Sequence, residues 1–499
     1  MTNKGIDRRD FISTVTKASI GGLGMSILPA HVLGGKDHIP PSDKVNIGLI
    51  GFGAQSYKML PGWLNTSEFQ FISVCDPNKH SYDYPDWGSP RGELRGFPGG
   101  REVGRQLINN FYSRKHNKEG YNGCSAYIDY REMMERETGL DAVFIMTPDH
   151  LHAHIAVDAM KKGLMLSSHK PIGNFWDETR ITCETARSTG ARTHLFAFNA
   201  DSRENYQVKE WIDQGIIGKV KELHRWTNRP MWPQGWTDTP EKETIPEGFD
   251  WDLWLGPAKP REYSPDYTHA LFRGWHEFGS GCLGDMGYYG YLRDWRILNL
   301  GIPNVVEASA NVYCELKEFR SSWITNNVSF PHAATTQWEV PVNNSDESIE
   351  VFWYEGGLRP NTPPALREKG RRLGAEGVMY IGEDGIITAN YGYGNPEIHG
   401  VENAGEVMNA ITAPDIEPID YDRDMIESFM GGNQSRGNYL NAQAVAETIC
   451  IGNIAIRTDQ EYKHAVQERI VWDLENLKST NVEQANNFVS RDTRPGWEL

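Results

Sequence analysis

The feature that most constrains this chain is a glycine turn between an apolar run and a helix-like stretch. Residues 44–56 read K-V-N-I-G-L-I-G-F-G-A-Q-S, so the apolar run 45–50 leads directly into the turn. Such a turn lets backbone N–H groups approach a pyrophosphate, with the positive end of a helix behind them. A serine replaces the third glycine of G-x-G-x-x-G, so other elements must support the motif. The cofactor-binding residues that this turn predicts are Gly51, Phe52, Gly53, Ala54, Gln55 and Ser56.

Length, charge and cysteine usage exclude several classes of protein. A chain of 499 residues is long for one compact core, so we expect two domains. The net charge of −17 leaves no basic face for nucleic acid or for an anionic membrane surface. The six cysteines form no C-x-x-C pair and no Cys/His spacing typical of a metal site. We therefore expect buried thiols, no structural metal and no nucleic-acid partner.

The first 35 residues resemble an export signal rather than a folded element. Residues 8–12 read R-R-D-F-I, and a mildly apolar, glycine-containing run continues to Ala30. This pattern resembles a twin-arginine signal, a route that carries proteins already folded. The run is too short and too weakly apolar to span a bilayer. It predicts a periplasmic protein, the alternative being a frayed amphipathic N-terminus.

A carboxylate follows the second predicted strand, 69–75. Asp76 lies 20 residues beyond Ser56, at the tip of that strand. In this position a carboxylate accepts hydrogen bonds from a ribose 2′-hydroxyl and repels a 2′-phosphate, which favours NAD over NADP. The alternative is a turn-forming aspartate in the sequence D-P-N. Residues 80–125 contain three prolines and many glycines, and we interpret them as an insertion, either a lid or an interface arm.

Two further turns fall at the ends of predicted parallel strands. The strand 142–146 leads into T-P-D-H-L-H, a helix follows over 153–162, and the strand 164–168 leads into His169-Lys170-Pro171. Ligands of open α/β sheets bind at such carboxyl ends. A lysine just outside a strand is well placed to meet a substrate hydroxyl.

These turns resemble those of the Gfo/Idh/MocA oxidoreductases, which have a T-P-x-x-x-H turn and an E-K-P motif with a catalytic lysine. Here Lys170 is kept and His169 replaces the glutamate. The blocks 227–235, 245–257 and 494–497 also resemble exported members of that family. The resemblance implies a nicotinamide cofactor and a sugar or polyol substrate. The residues that it places near the cofactor are Thr147, Pro148, His152, His169 and Asn199, the alternative for Asn199 being ordinary capping.

The second half of the chain changes pattern near residue 220. Alternating stretches at 221–226, 335–340, 348–354 and 378–381 predict a largely antiparallel sheet. In the family such a sheet is open on one face and builds the oligomer interface. We therefore expect a homo-oligomer, either a dimer or a tetramer.

A glycine-rich segment, 279–289, resembles the L-x-D-x-x-x-H helix start of the family. Asp285 matches the substrate-binding aspartate, but Tyr289 stands where the proton-transferring histidine is expected. Positions i and i+4 share one helix face, so both side chains can reach one ligand. Our hypothesis is that Lys170 lowers the pKa of Tyr289, so that this pair shares the acid–base role while Asp285 orients the sugar.

Other interpretations of these positions stay open. In one alternative, Tyr289 is merely a substrate contact and the base is His152, His169 or His276. The blocks expected to line the substrate end of the cleft supply Arg229, Trp232, Arg273 and Trp275, for which buried packing is the alternative.

The sequence predicts an α/β protein with three segments: a signal at 1–35, a Rossmann NAD-binding domain at 44–172, and an α+β domain at 173–499 with a large, mostly antiparallel open sheet. The expected activity is NAD-dependent oxidation of a ring hydroxyl of a sugar, glycoside or polyol. One alternative is a glycosidase that uses tightly bound NAD for transient oxidation and elimination. Another is a catalytically silent sugar- or nucleotide-binding protein.

Overall fold

The computed structural model describes residues 39–85, 96–198, 201–463 and 465–499. The predicted signal and Asn199 therefore lie outside the described residues. Residues 45–499 form one compact unit, and in the described residues before it Pro41–Asp43 make a single 3₁₀ turn.

The first half of the unit is built on a six-stranded parallel sheet, as the sequence predicts. Its strands run in the order β5-β2-β1-β6-β7-β8. The elements in chain order are β1 Val45–Ile50, α1 Ala54–Asn65, β2 Phe69–Cys75, β3 Ser81–Pro85, β4 Gly96–Gly99, α2 Arg101–Lys115, β5 Ser125–Tyr127, α3 Tyr130–Arg136, β6 Ala142–Ile145, α4 His152–Lys161, β7 Met165–Ser168, α5 Trp176–Thr189 and β8 Thr193–Leu195. The predicted boundary at 172 falls inside this layer, because β8 pairs with β7.

Large apolar side chains on alternate strand positions hold the sheet to its helices. The Phe144 ring lies 5.0 Å from Trp63 of α1 and 5.7 Å from Phe69 of β2, both edge-on. Phe71 and Phe196 complete this cluster, and all five side chains are buried. Edge-to-face rings of this kind contribute beyond their buried area. This packing fixes the strand ends that carry the predicted turns.

The interpretation of 80–125 as one irregular insertion is wrong in its second part. Residues 101–115 form a regular helix, α2, whose Ile108 and Tyr112 are buried at i, i+4 spacing. Its Gly104 lies against the Phe52 ring, where a Cβ would come within 2.7 Å of the ring edge. Within the described residues, the antiparallel pair of strands β3 and β4 interrupts the usual strand–helix alternation. The glycines and prolines before residue 100 obscured the helical pattern after it.

The second half contains a nine-stranded mixed sheet, in the order β17-β16-β15-β9-β14-β13-β10-β18-β19. The pairing of β9 with β14 is parallel and the other pairs are antiparallel, so the predicted mostly antiparallel sheet is confirmed. The strands are β9 Val220–Trp226, β10 Val305–Ala310, β13 Ala334–Pro341, β14 Ser348–Tyr354, β15 Gly377–Gly382, β16 Ile386–Ala389, β17 Glu397–His399, β18 Ile470–Asp473 and β19 Lys478–Ser479, and a separate hairpin consists of β11 Tyr313–Lys317 and β12 Arg320–Ile324.

The helices of this half are α6 Arg203–Asp213, α7 Trp251–Leu255, α8 Gly281–Leu298, α9 Pro364–Arg367, α10 Ala404–Ala410, α11 Tyr421–Phe429 and α12 Tyr439–Tyr462. Helix α12 packs against α5 and α8. Buried Glu447 of α12 accepts a hydrogen bond from the Trp176 indole at 2.8 Å, which ties the two halves together. Short 3₁₀ turns occur at Asp149–Leu151, Pro265–Tyr267, Leu271–Gly274 and Glu483–Phe488. Among all these described helices, none is long and apolar enough to cross a membrane.

The face of the nine-stranded sheet that is turned away from α8 and α12 carries charged side chains, so it is not the apolar face expected of an oligomer interface. Glu339 and Glu350 face each other across β13 and β14, and Arg469 lies within 3.9 Å and 3.4 Å of them. Elsewhere on this face, Leu366 and Leu373 of the chain itself pack in one cluster with Trp226 and Met379. The predicted homo-oligomer stays a prediction.

Candidate active site

A cleft of about 330 Å³ lies at the carboxyl ends of the parallel strands, where the sequence places its turns. The segments 229–232 and 270–273 and the start of α8 close its other side. The predicted residues that line this cleft are Gly51, Phe52, Gly53, Ala54, Gln55, Asp76, Thr147, Pro148, His169, Lys170, Arg229, Trp232, Arg273, Asp285 and Tyr289. The topology thus brings together residues that are more than 200 positions apart in the chain.

The glycine turn after β1 forms a cradle that only glycine permits at its first position. Gly51 has φ +88°, and a Cβ there would lie 2.7 Å from the main chain of Met146 and 2.8 Å from the Thr147 nitrogen. Helix α1 then begins at Ala54 with Gly53 as its N-cap, and no described side chain caps its first turn. Its uncapped N–H groups therefore leave room for an anion at the positive end of the helix.

Ser56 supports this cradle from behind instead of lining it. Its hydroxyl donates a 2.7 Å hydrogen bond to the carbonyl oxygen of Gly51, and the side chain is buried. The serine therefore fixes the turn in place of the third glycine. The prediction that the Ser56 side chain contacts the cofactor is therefore wrong, because this side chain is buried behind the turn.

Asp76 combines the two roles that the sequence left open. Its carboxylate accepts hydrogen bonds from the backbone N–H of Phe52, at 2.7 Å, and of Asn78, at 2.8 Å. The second bond is the turn expected of D-P-N. Burial raises the pKa of Asp76, and the two N–H donors oppose that rise. A carboxylate has about four acceptor positions, so it can still accept from a ribose hydroxyl on the cleft side.

The second turn offers an orphaned polar atom to the cleft. The Thr147 hydroxyl is buried and has no hydrogen-bond partner among the described residues. His152, in contrast, is directed away from the cleft: its ring nitrogens lie 2.9 Å from the Thr147 carbonyl and 2.6 Å from the Pro171 carbonyl. The prediction that His152 faces the cofactor is therefore wrong in its geometry, because the ring braces the two turns against each other.

A dinucleotide fits these observations. The cradle at Gly51 excludes side chains, the first turn of α1 carries no cap, and Thr147 presents an unused hydroxyl. Asp76 stands at the strand end where a ribose would lie. The described residues contain no group of three His, Cys, Asp or Glu side chains that is placed to hold a metal ion.

At the end of β7, Lys170 forms an ion pair with Asp285 of α8, and Arg273 donates to the same carboxylate oxygen at 3.0 Å. Lys170 is 3% exposed. Burial alone would raise the pKa of Asp285, but the two cations more than offset it and hold the pKa well below its ordinary value. The three side chains together carry one net positive charge.

Tyr289 lies one helical turn after Asp285, and its hydroxyl is 3.4 Å from Nε2 of His169. The Lys170 ammonium lies 5.6 Å from the centre of the tyrosine ring. Burial and then Asp285 raise the pKa of Tyr289 above its ordinary value. The hypothesis that Lys170 lowers this pKa is therefore wrong, because the ammonium is committed to Asp285. Burial and Lys170 hold the pKa of His169 well below 6.5, so its imidazole is neutral.

The substrate end contains three of the four residues predicted for it. Arg229, Trp232 and Arg273 line the cleft. Trp275 does not: its indole donates a 2.8 Å hydrogen bond to the Asp266 carbonyl, and its ring packs against Tyr267 in a buried cluster. The structure therefore shows Trp275 in buried packing, which was the alternative to a place in the cleft. His276 is also buried, with its ring edge-on to Phe330.

Sequence reasoning missed several residues that line the cleft. Asp149 of the T-P-D turn accepts hydrogen bonds from the backbone and hydroxyl of Ser280, and so positions the start of α8. Tyr84 of β3 and His269 reach the cleft from segments that carry no recognisable motif. Only Asp149 lay within a motif that the sequence singled out.

Two family models match the chain. Residues 106–196 match the NAD-binding Rossmann fold of an oxidoreductase family, and residues 204–305 match the C-terminal alpha/beta domain of the same family. The fold and the cradle thus define the class of NAD-binding, Rossmann-type oxidoreductases. More narrowly, both models are those of the Gfo/Idh/MocA oxidoreductases, to which the chain is similar over these residues.

Individual relatives are distant. Levoglucosan dehydrogenase of Pseudarthrobacter phenanthrenivorans is 27% identical over 114 residues, covering 22% of this chain and 29% of the relative. Alpha-N-acetylgalactosaminidase of Shewanella oneidensis is 21% identical over 182 residues, covering 36% and 34%. The chain thus spans about a third of the length of these curated relatives. The crystal structure of the WlbA dehydrogenase from Bordetella pertussis, in complex with NADH and UDP-GlcNAcA, has a TM-score of 0.52 at 14% identity, over 86% of this chain and 99% of that one.

Proposed function

We propose that the protein is an NAD-dependent oxidoreductase that converts a ring hydroxyl of a sugar, glycoside or polyol to a ketone, or catalyses the reverse reaction. The observation that carries this proposal is the cluster of Lys170, Asp285 and Arg273, which faces the same cleft as the glycine cradle. A cation and a carboxylate side by side suit a substrate with adjacent hydroxyl groups. The family whose models match supports redox chemistry, and the relative named levoglucosan dehydrogenase supports a carbohydrate.

Lys170 is placed to polarise the reacting hydroxyl. NAD⁺, when bound, supplies the acceptor for the hydride that leaves the alcohol carbon. The ammonium of Lys170 donates a hydrogen bond to the hydroxyl oxygen and stabilises negative charge as the proton departs. Asp285 holds Lys170 in place and accepts a hydrogen bond from a neighbouring hydroxyl. The net positive charge of the cluster favours the alkoxide-like transition state over the neutral alcohol.

The hydroxyl proton leaves through Tyr289 and His169. The phenol hydroxyl takes the substrate proton while it gives its own proton to Nε2 of His169, 3.4 Å away. Burial and Lys170 lower the pKa of His169 and so keep its imidazole unprotonated, which leaves a ring nitrogen lone pair for that proton. The pair replaces the histidine that the family carries on the helix, since an imidazole now approaches from the opposite wall of the cleft.

Trp232 and Arg229 provide the binding surface for the rest of the sugar. The Arg273 guanidinium lies 6.0 Å from the Trp232 ring centre, which places that ring beside the catalytic cluster. Nε of Arg229 is buried, lies 3.9 Å from a Glu376 carboxylate oxygen and makes no hydrogen bond within the described part of the chain. We assign the Arg229 guanidinium, which lines the cleft, to a substrate oxygen, with the apolar face of the sugar ring on Trp232.

A glycosidase with bound NAD is the second candidate, favoured by the relative named alpha-N-acetylgalactosaminidase. In that reaction the same residues would oxidise transiently, permit elimination at the glycosidic bond and restore the cofactor. We further propose export by the twin-arginine route, supported by R-R-D-F-I at residues 8–12, and a homo-oligomeric state.

One experiment separates these functions. The purified protein is analysed by mass spectrometry for bound nucleotide and then incubated with a panel of glycosides and polyols, with and without added NAD⁺. Ketone formation that requires NAD⁺ and yields NADH supports the oxidoreductase. Release of free sugar without added NAD⁺ favours the glycosidase. Binding of sugar with neither product would refute both and favour a silent binding protein.

A further inference from the structure

The hairpin β11–β12 presents an apolar face and an aromatic tip to solvent. In its register Trp323 lies opposite Cys314. Leu316, two residues further along the same strand, lies opposite Ser321, so these side chains share one face of the ribbon. Leu316 is 74% exposed, Trp323 is 62% exposed, and Phe319 at the tip is fully exposed. Single exposed apolar residues are common, but several on one short ribbon mark an interaction surface.

The turn of this hairpin holds an aromatic residue where glycine would be easier. Glu318 has φ +48° and Phe319 has φ +65°, so both residues of the two-residue turn lie in the left-handed region. Such turns favour Asn-Gly or Gly-Gly, because a Cβ is disfavoured at positive φ. A bulky residue in this conformation is rare and points to a function for its side chain. We attribute the strain to the use of the Phe319 ring, which the turn presents to solvent.

The base of the hairpin is anchored, so its position on the molecule is defined. The Ala310 N–H donates to the Asp459 carboxylate of α12 at 2.8 Å, and the Lys463 ammonium donates to the Ala310 carbonyl at 3.1 Å. On the other side, the His332 N–H donates to the Tyr313 hydroxyl at 3.3 Å. The hairpin therefore projects from a fixed base.

A cavity of about 190 Å³ lies between this base and the end of α12. Its lining includes the rings of Tyr313, Trp323 and Tyr462, and also Ala465. The cavity has room for an aromatic side chain. A five-residue strand spans about 17 Å, so in two hairpins packed antiparallel about a two-fold axis the tip of each reaches the base of the other. Phe319 then meets the cavity of the other copy.

We propose that two copies of this chain form a dimer through hairpin β11–β12, with Phe319 of each copy in the cavity of the other. The contact is isologous, because the same tip and the same cavity are used twice. The inference rests on the proposed homo-oligomeric state, but not on the proposed reaction. It places the contact on the hairpin and not on the nine-stranded sheet, whose outer face carries Glu339, Glu350 and Arg469.

The charge of the hairpin favours a second copy as the occupant of this surface. The whole chain carries −17, so two copies repel each other over most of their surface, and an anionic membrane or nucleic acid is repelled too. Residues 312–324 are neutral, because their acidic and basic side chains cancel: Glu315, Glu318, Lys317 and Arg320. Two antiparallel copies of such a segment can set the basic residues of one beside the acidic residues of the other.

The area is that of a small but specific dimer interface. An aromatic side chain buries about 150 to 250 Å², so Phe319, Trp323 and Leu316 together supply about 400 to 500 Å² in each copy. Two copies therefore bury about 1,000 Å², at the lower end for specific interfaces. We expect a dissociation constant on the order of micromolar.

Sedimentation velocity of the full-length protein tests the contact over about 0.1 to 100 μM, a range that brackets this constant. Reductant keeps the exposed Cys314 from joining copies through a disulfide. Phe319→Gly removes the ring and relieves the turn, so we expect the dissociation constant to rise about 10-fold or more. Its unfolding midpoint, measured on dilute monomer, should not fall. Leu316→Ser should also weaken the dimer, whereas the matched control Ile416→Ser, at a side chain 51% exposed in the loop before α11, should not.

Cross-linking tests the reciprocal geometry. In a Cys314→Ser background, Phe319→Cys protein is mixed with Ala465→Cys protein and treated with a short thiol-reactive cross-linker. Cross-linked dimers that form only in the mixture support the proposal, and dimers that form with Phe319→Cys alone would overturn the tip-to-cavity arrangement.

The remaining outcomes separate this contact from the other proposals. A monomeric unmodified protein would overturn both the contact and the homo-oligomeric state. A dimer that Phe319→Gly leaves unchanged would overturn the hairpin contact alone. Monomer that binds phosphatidylcholine vesicles through Phe319 would assign the hairpin to a lipid surface instead. None of these results bears on the proposed reaction, which NADH formation tests separately.

Discussion

The proton route through Tyr289 and His169 makes a prediction that can be worked out from the structure. In Tyr289→Phe the ring remains but the hydroxyl 3.4 Å from His169 is lost. A phenol with a pKa above 10 is ionised in fewer than about 1 in 1,000 molecules at pH 7. Tyr289 therefore cannot act as a preformed phenolate, and it needs His169 to receive its proton. Without the hydroxyl, the proposed proton route is interrupted between the substrate and His169.

We expect Tyr289→Phe to slow the chemical step by about 10² to 10⁴ times, the range that general acid–base catalysis contributes. That loss corresponds to about 3 to 5 kcal/mol of transition-state stabilisation. His169→Gln should cost a similar factor. The double variant should be no slower than the slower single variant, because the two side chains act as one unit.

The assay is a single-turnover measurement of NADH formation with protiated and deuterated substrate, over a range of pH. Because the pKa of His169 lies well below 6.5, its imidazole stays neutral as pH falls through that value. The rate of the unmodified protein should therefore remain constant down to below pH 6.5, whereas a base with the ordinary histidine pKa would lose activity there.

Tyr288→Phe is the matched control. Its hydroxyl, one residue away on the same helix, accepts a 3.4 Å hydrogen bond from the Ile172 N–H and does not face the cluster. Its removal should change the rate by less than a factor of about 10, as expected for one neutral hydrogen bond. A near-normal chemical rate in Tyr289→Phe would refute the proton route. A raised KM with an unchanged kcat would show that Tyr289 is a substrate contact only.

Two further outcomes are expected. Burial raises the pKa of Glu355 from an ordinary 4.5 to about 7, although a hydrogen bond from Trp353 opposes this rise. The protonated carboxyl therefore stabilises the fold most fully below pH 4.5, and this stabilisation is lost as pH rises through 7. The loss amounts to about 3 kcal/mol in the free energy of unfolding, and denaturant titrations should show that Glu355→Gln flattens this dependence. Gly51→Ala should weaken NAD binding by about 10-fold in calorimetric titration, because alanine is strained at φ +88° and its Cβ meets the Met146 main chain. The control is Gly62→Ala on α1, whose Cβ meets no atom within 4 Å and which should leave NAD binding unchanged.

Local patterns in the sequence predict the parallel sheet and its turns well. The strands β1, β2, β6 and β7 and the cradle at Gly51 depend on contiguous apolar runs and on one backbone conformation, and both are visible in a few residues. The contact between Tyr84 of β3 and His269 was not predictable in this way. Tyr84 and His269 are 185 positions apart and belong to no motif, so only the fold shows that they meet.

On the substrate side of the cleft, two residues that are close in sequence have different environments in the structure. Arg273 and Trp275 were both assigned to the cleft because they share one block. The 3₁₀ turn Leu271–Gly274 ends between them, and the chain then extends, so Arg273 faces the cleft while Trp275 enters the aromatic core. A block resemblance carries no information on the direction of each side chain, which depends on where a turn ends.

The proposed roles within the cluster depend on whether Lys170 pairs with Asp285 or with Tyr289, which the sequence alone does not show. Lys170 was expected to serve Tyr289, but a carboxylate is a far stronger partner for an ammonium than a neutral phenol is, and Asp285 lies within contact of it. Lys170 is paired with Asp285 and burial raises the pKa of Tyr289, so the proton route that we propose runs from the tyrosine hydroxyl to His169, 3.4 Å away. The family resemblance expects a glutamate before the lysine and a histidine on the helix. This chain has His169 before the lysine and Tyr289 on helix α8. An imidazole is therefore still present in the cleft, but it follows strand β7 and does not belong to the helix.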